Sequence, residues 1–287
     1  MYLGFRPWRN SAVLLVAVFA GLLNPIAAQA ASLSQTAASS YVALGDSYAS
    51  GRGAPAFIRD TSPGKEDSCY RSANASYSGI YAQMIGLPDF SLGACSGATT
   101  QDVLLQSSSG VPAQIESLSA STRLVTLSIG GNDADFSEIL VDCVLSLQSC
   151  EGEFPDESQL IDSLQAPLTK TYLAIKDRAP RAAVMVFTYP QIIPADRSCL
   201  TTINLGSADR IWLRERASQL NQVIRDSAAR AKVGVLDEEN AFAGHELCSS
   251  QPWAHGEVIT DPGESFHPTI TGNAKMAQDL AALTVRN

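Results

Sequence analysis

Four short apolar runs, each followed by small or polar residues, constrain the fold of this chain more than any other feature. They occupy residues 41–44, 124–129, 183–189 and 233–236. The segments between the runs are long enough to hold helices. This alternation is typical of an α/β domain with a parallel sheet, in which ligands bind at the carboxyl ends of the strands.

Three of the remaining segments are predicted to be helical. Residues 208–231 place apolar side chains mainly on one face and charged ones on the other, with Ser207 and Asp209 as candidate caps. Residues 157–178 have a similar periodicity, and Pro167 predicts that this helix is kinked or divided. A last helix is expected to begin near Thr271.

The first thirty residues are expected to be a secretory signal peptide. Arg6 and Arg9 precede an apolar stretch, and the small residues of Ala28-Gln29-Ala30 predict cleavage after Ala30. The stretch is shorter than the roughly 18 residues of a membrane span, and no later segment qualifies. Residues 31–40 are interpreted as a flexible mature N-terminus and residues 41–287 as one domain of a secreted, extracellular protein.

The charge and the cysteines limit the partners of such a protein. A formal net charge of -9 disfavours nucleic acid. In an exported chain six cysteines indicate three disulfides in preference to a metal site, and no CxxC or HExxH spacing occurs. Sequence order favours local pairs, although order alone is a weak guide. These pairs are Cys69 with Cys95, Cys143 with Cys150, and Cys199 with Cys248.

Two of the apolar runs end on side chains that could carry chemistry. The first ends in Gly45-Asp46-Ser47, which would present a serine hydroxyl at a strand end. The second ends in Gly130-Gly131-Asn132, where the glycines allow an asparagine amide to approach a ligand. Each motif alone is also typical of a turn or a helix cap. A serine becomes an effective nucleophile only with a base and with donors for an oxyanion.

Two further segments could supply those groups. The run Ala94-Cys95-Ser96-Gly97 offers a glycine N–H beside a half-cystine, and the turn-rich loop 261–268 contains His267. Of the three histidines, His267 is the favoured general base, whereas His245 and His255 suit solvated or structural roles. The sequon Asn74-Ala75-Ser76 predicts a surface glycan if the host glycosylates, and is otherwise a chance match.

Together the four segments resemble the conserved blocks of the SGNH hydrolases, the GDSL esterases and lipases, over almost the whole mature chain. Ser47, Gly97, Asn132 and His267 stand in the family's order. The cysteine layout makes the resemblance strongest to the extracellular, disulfide-bonded members, which implies the same three local disulfides. The resemblance also implies a flavodoxin-like three-layer α/β/α sandwich. No Gly-x-Ser-x-Gly elbow of an ordinary α/β-hydrolase occurs.

The resemblance implies an acyl-enzyme mechanism without cofactor or metal. Ser47 would attack the ester carbonyl, His267 would act as base, and an oxyanion hole would comprise the Ser47 and Gly97 N–H groups and the Asn132 side chain. Asp46 is expected to be a structural acid. Three candidates stay open for the group that orients His267: the Glu264 side chain, the Glu264 carbonyl, and Asp261.

The expected substrates are carboxylic esters with an aliphatic acyl chain. Segment 50–58 and Leu104–Leu105 are candidate walls of the acyl site, and Arg52 and Arg71 are candidate phosphate contacts. Phospholipase and carbohydrate acetylesterase activities are the alternatives on the same fold. A non-catalytic secreted glycan-binding protein and a metal-dependent hydrolase are more distant ones. A monomer that contacts lipid surfaces transiently is expected.

Overall fold

Five parallel strands form the centre of the fold, in the order β2–β1–β3–β4–β5. The computed structural model describes Met1 and residues 40–54, 57, 69–108, 110–145 and 148–284. The strands are β1 (Tyr41–Gly45), β2 (Phe90–Leu92), β3 (Leu124–Ser128), β4 (Ala183–Phe187) and β5 (Gly234–Leu236). The order changes direction between β1 and β3, so the carboxyl ends of these two strands border the crevice where open parallel sheets bind ligands.

Helices connect the strands and follow the last one. They are α1 (Ser47–Ser50), α2 (Tyr77–Met84), α3 (Thr100–Leu104), α4 (Phe136–Leu145), α5 (Cys150–Glu153), α6 (Glu157–Ser163), α7 (Gln165–Arg178), α8 (Ser207–Ala231) and α9 (Ile270–Thr284). Single 3-10 turns lie at Gln114–Ser117, Leu200–Thr202 and Pro262–Glu264. The described part of the chain therefore has the predicted alternation of strands and helices.

Hydrophobic clusters on both faces of the sheet hold these layers together. In β1 the side chains alternate, with Tyr41 and Ala43 in one buried cluster and Val42 and Leu44 in the other. The first cluster includes residues of α2, α4 and α9, whereas the second includes residues of α7 and most of the buried residues of α8. The three-layer α/β/α architecture is thereby confirmed.

Two elements differ in detail from the sequence prediction. Strand β2 was not predicted, because its three residues follow Pro88 and are too few to show a periodicity. The helical segment 157–178 is divided at Leu164, ahead of Pro167. Pro167 therefore lies in the first turn of α7, where no intrahelical partner is needed for a backbone N–H and proline is tolerated.

The three disulfides are the predicted ones. Cys69 is bonded to Cys95, Cys143 to Cys150 and Cys199 to Cys248. The described residues from Ser40 onward belong to one compact unit. Among the described residues no helix is both long enough and apolar enough to cross a membrane.

Some of the predictions are not tested by the structure. The signal peptide (1–30) and nearly all of the N-terminal segment 31–40 lie outside the described residues. Asn74 lies in an exposed turn ahead of α2, which is compatible with a glycan. Glycosylation of Asn74 stays a prediction.

Candidate active site

The turn after β1 places Ser47 at the start of α1. Gly45 has φ 126°, and a Cβ at this position would lie 2.1 Å from the Ser128 carbonyl oxygen, so glycine is required for the close approach of β1 to β3. Asp46 caps α1 by accepting a hydrogen bond of 3.0 Å from the Tyr48 N–H. Ser47 is the first residue of the helix, where backbone N–H groups lack intrahelical partners.

Asp46 is hydrogen-bonded to neighbouring strands and turns, and within the described part of the chain no hydrogen bond joins it to the His267 ring. Its carboxylate also accepts from the Ser128 hydroxyl, at 3.1 Å, and from the Tyr189 hydroxyl. Burial raises the pKa of Asp46 to about 6, while these hydrogen bonds oppose the rise. Asp46 therefore fixes the turn that carries Ser47, as predicted for a structural acid.

The Gly97 and Asn132 segments are bonded to each other and to the end of β1. The Asn132 side-chain amide donates to the Ala98 carbonyl oxygen at 2.8 Å. The Cys95 N–H donates to the Gly45 carbonyl oxygen at 2.9 Å. Gly97 has φ 80°, which favours glycine although a Cβ there would meet nothing within 4 Å. These bonds gather three of the predicted blocks at one edge of the sheet.

His267 lies ahead of α9 with one ring nitrogen bonded and the other unpaired. Its Nδ1 is 2.9 Å from the Ser265 carbonyl oxygen. Because a carbonyl oxygen can only accept, this contact assigns the proton to Nδ1 and leaves a lone pair on Nε2. Nε2 is buried and has no hydrogen-bond partner among the described residues.

The surroundings of His267 keep the imidazole neutral. Burial, helped by the positive charge of Arg52 and by His255, lowers the pKa of His267 from its usual 6.5 to about 4. The hydrogen bond to Ser265 acts in the opposite direction. At neutral pH the ring is therefore a free base.

The expectation for the group that orients His267 needs correction. The acceptor at hydrogen-bond distance from Nδ1 is the carbonyl of Ser265, a residue outside the three candidates. The Glu264 carbonyl makes a weaker contribution to the imidazole, which raises its pKa less than the Ser265 carbonyl does. Asp261 forms an ion pair with Arg52. The Glu264 carbonyl oxygen accepts from the His267 backbone N–H at 3.2 Å, so its main hydrogen bond fixes the loop.

Arg52 joins the nucleophile turn to the histidine loop, a role that sequence reasoning missed. Its buried guanidinium pairs with Asp261 and lies 3.5 Å from the centre of the Tyr70 ring. A Cβ at Gly263 would lie 2.3 Å from Nη2 of Arg52, so the guanidinium packs directly on this loop. In the sequence Arg52 is a lone arginine in a glycine-rich loop, and this pattern predicts a phosphate contact and not a link between loops.

A second link between the same segments involves His255. Its Nε2 lies 2.7 Å from the Gly53 carbonyl oxygen, and its backbone N–H donates to the His267 carbonyl oxygen at 2.9 Å. A Cβ at Gly53 would lie 2.8 Å from the Cβ of His267. The structural role expected for His255 is therefore seen, and the loop after α1 packs directly against His267.

A cavity of about 460 Å³ opens beside these residues, within the usual range for ligand sites. Ser47, Asn132 and His267 line it; Gly97 does not. Its other walls come from α4, α8 and the segment between them, mostly as apolar side chains. These include Phe136, Leu140, Val141, Ile192, Ile193, Leu213 and Leu220.

The segments predicted as walls of the acyl site do not line this cavity where they are described. None of the described residues among segment 50–58 and Leu104–Leu105 lines the cavity. Phe57 packs against Tyr70, and Leu105 is 56% exposed. Ile58 lies outside the described residues.

Ser47 lies at the switch point of a parallel sheet and faces the same cavity as a neutral histidine and an asparagine amide. This arrangement is typical of one class of enzymes, the serine hydrolases with the SGNH fold. The comparisons agree with this class. Residues 43–275 match the GDSL-like Lipase/Acylhydrolase family. The chain belongs to that family and is an ester hydrolase.

Individual relatives cover nearly the whole chain. Lipase 1 from Streptomyces coelicolor is 39% identical over 263 residues, which are 91% of each chain. The crystal structure of an extracellular lipase from Streptomyces rimosus has a TM-score of 0.74 at 37% identity, covering 84% of this chain and 98% of that one. That of phospholipase A1 from Streptomyces albidoflavus has a TM-score of 0.75 at 35% identity, covering 86% and 99%.

Proposed function

We propose that this protein hydrolyses carboxylic esters through an acyl-enzyme on Ser47, with His267 as general base. One observation carries the assignment: the proton of His267 is on Nδ1, bonded to Ser265, while the unpaired Nε2 belongs to a ring that lines the same cavity as Ser47. Nε2 takes the Ser47 proton as Oγ attacks the carbonyl, and returns it to the leaving alcohol. Water then repeats the sequence and releases the acid.

The oxyanion of each tetrahedral intermediate is bound by the N–H groups of Ser47 and Gly97 and by the Asn132 amide. The amide nitrogen of Asn132 has two N–H bonds, and the Ala98 carbonyl accepts one of them. Removing one such donor typically costs about 2.7–4 kcal/mol of transition-state stabilisation. Asn132→Ala is therefore expected to lower kcat at least about 100-fold with little change in KM. An unchanged kcat would contradict the role of Asn132.

The acyl chain of the substrate is proposed to occupy the cavity between α4 and α8. The walls there are apolar, so burial of a chain is favourable by about 0.8 kcal/mol for each methylene group. Long aliphatic acyl esters are thus the proposed substrates, in line with the lipases from Streptomyces coelicolor and Streptomyces rimosus.

Phospholipids are the second candidate substrates, because the phospholipase A1 from Streptomyces albidoflavus is 35% identical to this chain. Arg52 and Arg71 do not add support for a phosphate contact. Arg52 is paired with Asp261, and Nε of Arg71 donates to the Ala94 carbonyl oxygen at 2.8 Å.

The protein is further proposed to be secreted as a monomer after removal of residues 1–30. Three disulfides support an oxidising compartment, and the relative from Streptomyces rimosus is described as extracellular. The N-terminal sequence of the protein recovered from culture medium tests this: it should begin at Ala31.

The decisive experiment measures hydrolysis of p-nitrophenyl esters, from acetate to palmitate, by the wild type and by Ser47→Ala. We expect activity that rises with chain length in the wild type and is lost in the variant. Circular dichroism confirms that both proteins are folded. Equal activity of the two folded proteins would refute Ser47 as the nucleophile, and a preference for acetate would refute the long acyl chain.

A further inference from the structure

Four aliphatic side chains are exposed beside the active-site cavity. Leu200 is 85% exposed, Ile259 84%, Ile203 68% and Leu145 58%. Isolated exposed leucines are ordinary on a soluble protein, but a cluster of them marks an interaction surface. These four residues are called the apolar rim below.

Contacts between their segments bring the four residues of the apolar rim together. The side-chain amide of Asn204 donates to the Val144 carbonyl oxygen at 2.9 Å, so the turn with Leu200 and Ile203 lies against the end of α4. A Cβ at Gly256 would lie 2.6 Å from Cγ2 of Thr201, so the same turn also packs on the segment that leads to Ile259. The disulfide between Cys199 and Cys248 fastens this turn.

The apolar rim is continuous with the cavity that contains Ser47. Leu145 and Ile259 line a second cavity of about 200 Å³. Val141, Pro262 and Phe266 line both this cavity and the larger one. A hydrophobic path therefore leads from the exposed rim to the proposed acyl site.

The charges around this path select the kind of surface that can approach. Glu257 lines the smaller cavity, and Glu138 and Asp142 line the larger one. Among the described residues that line the two cavities there is no lysine or arginine. With a net charge of -9, the protein is repelled by anionic surfaces.

We infer that the apolar rim docks onto the surface of a neutral or zwitterionic lipid aggregate, from which an ester molecule passes into the cavity. The inference rests on the proposed function, because the cavity must accept an acyl chain. Docking removes the exposed leucine and isoleucine side chains from water, and this burial supplies the affinity.

Vesicle binding tests the inference without catalysis. Binding to phosphatidylcholine vesicles is measured for the Ser47→Ala protein and for the same protein that also carries Leu200→Ser and Ile203→Ser. Leu200 and Ile203 line neither cavity. We expect the additional substitutions to weaken binding at least about tenfold. The matched control is Met84→Ser with Leu173→Ser, which removes side chains that are 51% and 44% exposed on α2 and α7 and should leave binding unchanged.

Equal binding by the rim variant and the control would overturn the inference. Tighter binding to vesicles that contain phosphatidylglycerol would overturn the choice of partner.

Measurements of activity separate this inference from the proposed function. In the protein that retains Ser47, the Leu200→Ser and Ile203→Ser substitutions should lower the rate of hydrolysis of emulsified long-chain triacylglycerol. The rate on dissolved p-nitrophenyl butyrate should stay within about twofold of the wild-type rate. A wild type that cleaves neither ester refutes the proposed function, while vesicle binding still decides the role of the rim.

Discussion

At the scale of single residues, the proposed chemistry depends on an imidazole that stays neutral. Burial and the charge of Arg52 lower the pKa of His267 to about 4. A base with this pKa is available above about pH 4 and is lost as the pH falls through that value. We therefore expect the acid limb of kcat/KM against pH to have its midpoint near 4. A midpoint near 6.5 would contradict this environment for His267.

Arg52 should shift that midpoint through its charge. In Arg52→Met the positive charge is lost, the imidazolium becomes less unfavourable, and the pKa of His267 rises. The acid limb should move to higher pH, whereas in Arg52→Lys, which keeps a charge, it should move less. The measurement is kcat/KM from pH 3 to 8 for the three proteins. Coincident profiles would show that Arg52 acts only as a structural link.

The side chain of Glu264, three residues before His267, should contribute little to catalysis. The Nδ1 proton of His267 is bonded to the carbonyl of Ser265, which is unaltered in Glu264→Gln. We expect kcat/KM of this variant to remain within about threefold of the wild type, since loss of a carboxylate that serves a triad lowers kcat by about 10⁴. A fall of orders of magnitude would place the Glu264 side chain in the catalytic group.

These residues also show how far the candidate site could be predicted from the sequence. The meeting of Ser47, Asn132 and His267 at one cavity was predictable, because the proposed chemistry depends on side chains and therefore on residue type. The carbonyl of Ser265 was not, since every residue has a carbonyl and its direction is set by the loop. Arg52 was misread because its ion pair with Asp261 spans 209 positions of the chain.

At the scale of the secondary-structure element, α4 and α8 should determine the length of the acyl chain. Ala217 of α8 lines the cavity, and Ala217→Phe should fill part of it. We expect kcat/KM for the palmitate ester to fall at least about tenfold, with little change for the acetate ester. The control is Ala208→Phe, at an exposed position of the same helix. Equal effects on both esters would show that the chain binds elsewhere.

The same elements show which parts of the fold were predictable. The apolar runs of β1, β3 and β4 are visible because these inner strands are mostly buried between helices, which leaves a continuous hydrophobic pattern. Strand β5 lies at one edge and is partly buried, but its run is still mostly apolar. Strand β2 lies at the edge of the sheet, has three partly buried residues, and becomes a strand by pairing with β1. Its formation depends on tertiary structure, and a local pattern does not reveal it.

At the scale of the whole molecule, the disulfides should contribute unequally to stability. Cys199 and Cys248 are 49 positions apart, whereas Cys143 and Cys150 are 7 apart. The longer loop restricts the unfolded chain more, by about 2 kcal/mol in the loop-entropy relation. Replacing Cys199 and Cys248 by alanine should therefore lower the free energy of unfolding more than replacing Cys143 and Cys150. Urea titration measures both, and equal losses would contradict the entropic account.

Because a main-chain carbonyl, that of Ser265, orients His267, the site should tolerate different substitutions in evolution than a site with a carboxylate partner would. A carboxylate partner can be deleted by one nucleotide change, but a main-chain oxygen is present whichever amino acid a codon specifies. The Ser265 side chain has a separate task, since its hydroxyl accepts from the Val258 N–H at 2.9 Å. Residue 264 can thus be exchanged while the histidine keeps its tautomer, whereas exchange of Ser265 removes the acceptor of the Val258 N–H. Loss of this carbonyl contact would require an insertion, a deletion or a proline that redirects the loop.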